Sequence, residues 1–169
     1  MKKVFGIVGW SGSGKTDLVT RVIKLFVKKG ILVSSLKHSH HNFEVDKKGK
    51  DTYEHIRSGA NEVIIYNEKK WALMSKKQEK QHDIKEILDK FDKLTEIIII
   101  EGLKYGNFSK LEVIRSTINK PFIFRNDRNI KGLVVDKEIP DLKTSLPVFK
   151  FSDTKTIGSF ILNYFKNES

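Results

Sequence analysis

The sequence predicts a three-layer α/β/α fold of the phosphate-loop NTPase type. A mostly parallel sheet with a β-hairpin or edge-strand extension is expected, and residues 1–169 read as a single nucleotide-binding domain. Three observations predict it. Gly9-Trp10-Ser11-Gly12-Ser13-Gly14-Lys15-Thr16 fits G-x-x-x-x-G-K-[ST] at every fixed position. The motif lies between an apolar β-rich stretch, Lys3 to Val8, and an amphipathic run, which gives strand, glycine loop, helix. Later, Ile97 to Ile100 form a continuous aliphatic run that reads as a strand buried on both faces and ends in an acid, Glu101.

The chemistry follows from residue type. Gly9, Ser11, Gly12, Ser13 and Gly14 are small enough for successive backbone N–H groups to turn inward around phosphate oxygens at the positive end of a helix. Lys15 is placed to reach the terminal phosphates, and the Thr16 hydroxyl and Glu101 carboxylate to hold Mg²⁺. An ordinary glycine turn opening a helix would use the same small residues, but it would need neither the lysine nor the threonine. The stretch predicts nucleoside triphosphate binding.

Each element has its own local signal. Leu18, Val22, Leu25 and Phe26 recur at helical spacing over Lys15 to Lys28, with Asp17, Arg21, Lys24 and Lys28 as the wet stripe. Ile31 to Leu36 reads as a second strand, parallel to the first. The polar stretch from Lys37 to Asp51 is a loop at a strand's carboxyl end, where open parallel sheets bind ligands. Asp51 with Glu54 suggests a capping pair for a short helix ended by Gly59; a place for Asp51 near Mg²⁺ is the other reading. Val63–Tyr66 and Trp71–Met74 flank a turn as a hairpin or two edge strands, and Ile84, Ile87, Leu88 and Phe91 mark a helix from Asp83. Further strands are expected at Lys110–Arg115, Pro121–Phe124, Ile130–Val135 and Pro147–Phe151, then a helix with Ile157, Phe160, Ile161, Tyr164 and Phe165 on its apolar face. Asp136, after a late strand, is a candidate to accept from a guanine edge, with Asp127 as the weaker choice.

Composition bounds the remainder. With 38% hydrophobic residues in clear runs the chain can build a core, and with no cysteine it has neither disulfides nor thiolate metal sites. No signal peptide or bilayer-length apolar run is visible, so a cytoplasmic protein is expected. A net charge of +11 favours polyanionic ligands. The lysines are dispersed and no basic-aromatic motif accompanies them, which disfavours nucleic acid.

Several stretches together are more specific than the loop alone. K-H-S-H-H at Lys37 to His41, the Asp46-x-x-Gly49-Lys50-Asp51 pattern, W-S-G-S-G-K-T, W-A-L-M at Trp71 to Met74 and E-G-L-K at Glu101 to Lys104 resemble the molybdopterin-guanine dinucleotide biosynthesis protein B family, MobB. The resemblance covers most of the chain and loosens after Lys120. It implies a phosphate-loop fold, GTP binding with weak GTPase activity, and a homodimer. It also implies a role beside the guanylyltransferase that joins GMP to molybdopterin. Lys48, Thr52, Leu103 and Asp17 stand where the family more often has proline, serine, an aromatic residue and threonine.

With that resemblance the expected ligands are GTP, Mg²⁺ and molybdopterin. Lys37, His38, His40, His41 and Lys50 could form an anion-binding wall, and Asp46 could orient the attacking water or join the Mg²⁺ shell. A histidine site for a transition metal and a plain solvated loop are the other readings of the same residues. A small-molecule kinase is the competing function.

Overall fold

The computed structural model describes residues 2–39, 43, 45–76, 82–140 and 142–167. The chain forms two compact units, Met1–Ser39 with Asp92–Ser169, and His40–Phe91.

The larger unit is built on six parallel strands: β1 (Lys3–Val8), β2 (Val33–Lys37), β5 (Ile97–Glu101), β6 (Lys110–Ile114), β7 (Ile130–Val135) and β8 (Val148–Lys150). Their order across the sheet is β2-β5-β1-β6-β7-β8. The second strand is thus parallel to the first, as its sequence suggested, but β5 lies between them. Strands buried on both faces read as continuous aliphatic runs, and β5 is buried at all five positions.

Alternation sorts the core. Phe5, Ile7, Ile97, Ile99, Leu111, Val113 and Val134 gather with Leu18, Val22 and Phe26 of α1 (Lys15–Lys28) and with Ile157 and Ile161 of α4 (Thr154–Asn167). The two helices pack against each other as well. Val8, Ile114, Ile130, Leu133 and Val135 form a second cluster with Ile123. That cluster is covered by a short 3-10 helix, Ile123–Asn126, and by apolar residues of the adjoining loops, Phe122, Ile139, Leu142 and Leu146.

The 3-10 helix corrects the strand expected at Pro121–Phe124. Its first turn is organised by a buried acid: Glu112 Oε1 accepts from Ile123 N and Oε2 from Phe124 N, both at 2.8 Å. Two neighbouring N–H groups aimed at one carboxylate require a turned backbone, and alternation in four residues carries no trace of that partner. Burial pushes the Glu112 carboxyl above its ordinary range, although both backbone bonds pull the other way.

The smaller unit contains α2 (Asp51–Arg57), the antiparallel hairpin β3 (Glu62–Tyr66) and β4 (Trp71–Ser75), and α3 (Ile84–Leu88). The hairpin turn is fixed by Asn67, whose side-chain oxygen accepts from Lys69 N and Lys70 N at 2.9 Å. Asp51 is the first residue of α2 rather than its cap; Lys50 holds the cap position and makes no side-chain capping bond. Asp83 does cap α3, accepting from Lys85 N, but that helix stops at Leu88, short of Phe91.

Candidate functional site

The site grows from the carboxyl end of β1. Gly9 has φ of +151° and Gly14, the N-cap of α1, has φ of +93°. A side chain on Gly9 would run into the Val113 carbonyl, and one on Gly14 would lie 2.9 Å from both Arg115 Nη2 and Phe151 Cζ. Only glycine allows the loop to coil this tightly between β1 and β6.

Lys15 and Thr16 open the helix. The Lys15 ammonium donates to the Trp10 carbonyl across the loop at 2.8 Å. Thr16 Oγ1 donates to Glu101 Oε1 at 2.6 Å, a contact spanning 85 residues. Strand pairing makes it possible: Ile7 is the register partner of Glu101, and Gly102 N donates to Ile7 O at 3.0 Å. Lys37, the last residue of β2, completes the group. Its ammonium lies 3.0 Å from Glu101 Oε1 and 3.4 Å from Thr16 Oγ1.

The electrostatics point one way. Burial lowers the Lys15 pKa; Glu101 opposes that, and the cations Lys104 and Lys37 add to it. The Lys104 ammonium sits 3.7 Å from the Trp10 ring centroid. Three ammonium groups therefore crowd the same loop, and a polyanion would relieve their repulsion.

The donor set suits Mg²⁺. A hydroxyl and a carboxylate are the hard oxygen ligands such an ion takes, with phosphate and water supplying the remainder. The Lys37 ammonium lies beside both oxygens, so the pair already faces a positive charge. Among the described residues there is no group of three His, Asp or Glu side chains that could hold a metal ion.

The other expected residues have different surroundings. Asp17 accepts from Arg21 Nε at 3.0 Å along the helix and is largely exposed. Ser11 and Gly12 are exposed, and Ser13 is buried. His38 N donates to Glu101 O at 3.0 Å, beside the acid. Asp46 and Lys50 belong to the smaller unit, where Asp46 Oδ1 accepts from Lys47 N at 2.9 Å. His40 and His41 lie outside the described residues.

Asp136 follows β7, and both its oxygens are engaged by Ser116, from N at 2.8 Å and from Oγ at 3.1 Å. Burial alone would raise its pKa, but these bonds prevail and lower it. Asp127 is the partner of the buried Lys110 at 2.8 Å. Its pKa is also lowered: burial opposes this, and the bonds from Lys110 and Asn129 outweigh it.

Sequence reasoning missed Arg115, Phe151 and Lys104, and placed Lys37 only in a general anion-binding wall. The available signal was position. Lys37 ends β2, Arg115 follows β6 and Phe151 follows β8, all at the edge of a parallel sheet where ligands bind.

This sheet order, with a glycine loop closing its first strand against the acid that ends a neighbouring strand, defines an α/β protein of the phosphate-loop class. The family model described as molybdopterin guanine dinucleotide synthesis protein B matches residues 4–136. The chain belongs to that family, MobB.

The molybdopterin-guanine dinucleotide biosynthesis adapter protein of Haemophilus influenzae is 38% identical over 119 residues, covering 70% of this chain. The match spans 66% of that relative, just short of two thirds of its length. The Escherichia coli adapter protein of the same name is 27% identical over 172 residues, covering 100% of this chain and 97% of its own length. The crystal structure of Bacillus subtilis MobB superimposes with a TM-score of 0.76 at 21% identity, covering 95% of this chain and 96% of that one. It shows that the two share a fold. No helix among the described residues is long and apolar enough to cross a membrane.

Proposed function

We propose that this chain binds GTP with Mg²⁺ on its glycine loop and acts as an adapter in molybdopterin-guanine dinucleotide synthesis. In that role it assists the guanylyltransferase that attaches GMP to molybdopterin. One observation carries the nucleotide reading: Thr16 Oγ1 and Glu101 Oε1 meet at 2.6 Å, with the Lys15 ammonium bonded across the loop and the Lys37 ammonium, from the end of β2, against Glu101. The names of the Haemophilus influenzae and Escherichia coli relatives support the place in biosynthesis.

Thr16 and Glu101 would hold the ion, which would shield charge on the terminal phosphates when bound. Lys15 would release the Trp10 carbonyl and take a phosphate oxygen instead. Lys37, displaced from Glu101 by the incoming ion, would turn to the terminal phosphate. Molybdopterin, itself a phosphorylated pterin, would take anion contacts of the same kind. Such an adapter would work in the cytoplasm as a homodimer beside its enzyme.

The test is calorimetric titration of GTP and ATP, each with and without Mg²⁺, against the wild-type chain and Glu101→Gln. The wild type should prefer GTP and gain affinity with Mg²⁺, whereas the variant should lose that gain. Equal affinity for the two nucleotides, or no response to Mg²⁺, would overturn the reading.

A further inference from the structure

The loop lies between two groups of side chains. On the β5 side are Thr16, Glu101 and Lys37, joined by contacts of 2.6 to 3.4 Å. On the β6-β7-β8 side are Arg115, Asp136 and Phe151, each just beyond a strand's carboxyl end. Gly14 touches this second group, since a side chain there would meet Arg115 and Phe151. The second group borders the same loop at Gly14, so a nucleotide with its terminal phosphates at Thr16 and Glu101 that runs across the loop brings its nucleoside to it.

Arg115 stands there half-buried. The Arg115 guanidinium lies 4.5 Å from the centroid of the Phe151 ring, and its Nη1 is 3.8 Å from Asp136 Oδ2. Phe151 is itself held. Its N–H donates to Val135 O at 2.8 Å, and its carbonyl accepts from Arg21 Nη2 at 2.9 Å. Arg21 also lies 4.7 Å from the ring centroid and donates to the Thr154 hydroxyl at the start of α4. The Arg115 side chain remains 32% exposed, so part of it faces solvent. A guanidinium is weakly hydrated and stacks readily on flat π systems.

We infer that Arg115, laid on Phe151, is the platform on which the nucleobase of the bound nucleotide stacks, with Asp136 beside it to accept from the base edge. The ligand class is a purine nucleotide, and the inference rests on the proposal that the glycine loop binds one. A carboxylate has about four acceptor positions, so Asp136 can take a further N–H while keeping its two bonds from Ser116. Arg115 acts on the base by contact and on Asp136 by position.

A stacking role and a phosphate-clamp role predict different ligand dependence. GTP and inorganic tripolyphosphate, each with Mg²⁺, would be titrated into the wild type, Arg115→Ala and Arg115→Lys. Stacking on a flat side chain is worth about one order of magnitude in affinity. Both variants should therefore bind GTP about tenfold more weakly and bind tripolyphosphate as the wild type does. Phe151→Leu, which removes the ring beneath the guanidinium, should lose GTP affinity several-fold with tripolyphosphate again unchanged. A single cooperative unfolding transition shows that each variant is folded, with a lower midpoint expected for Phe151→Leu because the ring packs against the core.

Equal losses for GTP and tripolyphosphate in Arg115→Ala would make the residue a phosphate clamp and overturn the inference. So would wild-type GTP affinity in Arg115→Lys, which keeps the charge and loses the plane. A wild-type chain that binds neither ligand would remove the nucleotide reading itself, a pattern distinct from either failure.

Discussion

The ammonium of Lys110 sits 2.8 Å from Asp127 Oδ2, and the lysine has no solvent exposure. It also donates to the carbonyls of Lys104 at 2.7 Å and Gly106 at 2.6 Å. One buried cation thus ties the loop after β5 to the turn before β7.

Removing one partner of such a pair leaves the other uncompensated. Lys110→Met would strand Asp127 and two carbonyl oxygens, and the expected loss of unfolding free energy is about 3–5 kcal/mol. Urea titration followed by circular dichroism measures it. A loss below about 1 kcal/mol, the size of an ordinary surface change, would show that the pair is replaceable.

Lys15 should make nucleotide binding pH-dependent. Its pKa is lowered, with burial as the largest cause. Bound phosphate favours the charged form, so affinity should fall as pH rises through the lowered value, before the ordinary lysine range is reached. Folding stability should respond in the opposite sense. Between the lowered value and the ordinary lysine value of 10.5 the unfolded chain binds more protons, so this lysine's contribution improves as pH rises. Lys15→Arg should flatten the binding profile, and Lys15→Ala should abolish detectable GTP binding by calorimetry while leaving the circular dichroism spectrum unchanged. Retained affinity in the alanine variant would mean that the phosphates are held elsewhere.

Asp136 offers a test of base selection. Asp136→Asn replaces an acceptor with an amide that presents a donor on one side, so the ratio of GTP to ATP affinity should drop by about tenfold, one charge-assisted hydrogen bond. It should also weaken the bond from Ser116, seen as a modest fall in melting temperature. A lower melting temperature with an unchanged affinity ratio would confine Asp136 to holding the turn after β6.

Much of this site could be read from the chain because its signals are local. The glycine loop declares itself within eight residues, and Glu101 is marked by the aliphatic run before it. What stayed hidden depends on strand order. Nothing near Lys37 says that β2 pairs with β5, so its contact with Glu101 was not visible, only its presence in a polar stretch. Arg115 and Phe151 meet because β6, β7 and β8 are neighbours, and their separation in sequence conceals it. Pro121–Phe124 failed for a related reason: the feature that turns it, Glu112, lies in another element and is buried by the fold that it helps to form.

The strand order also bears on synthesis. Among the described residues β1 pairs with β5 and β6, both far later in the sequence. The glycine loop follows β1 directly, yet the described strands give β1 no sheet neighbour until synthesis has passed Ile97. Until then Thr16 lacks the acid that it bonds across 85 residues. The contact that joins helix to acid is therefore a late one, open only to a chain that already holds β5.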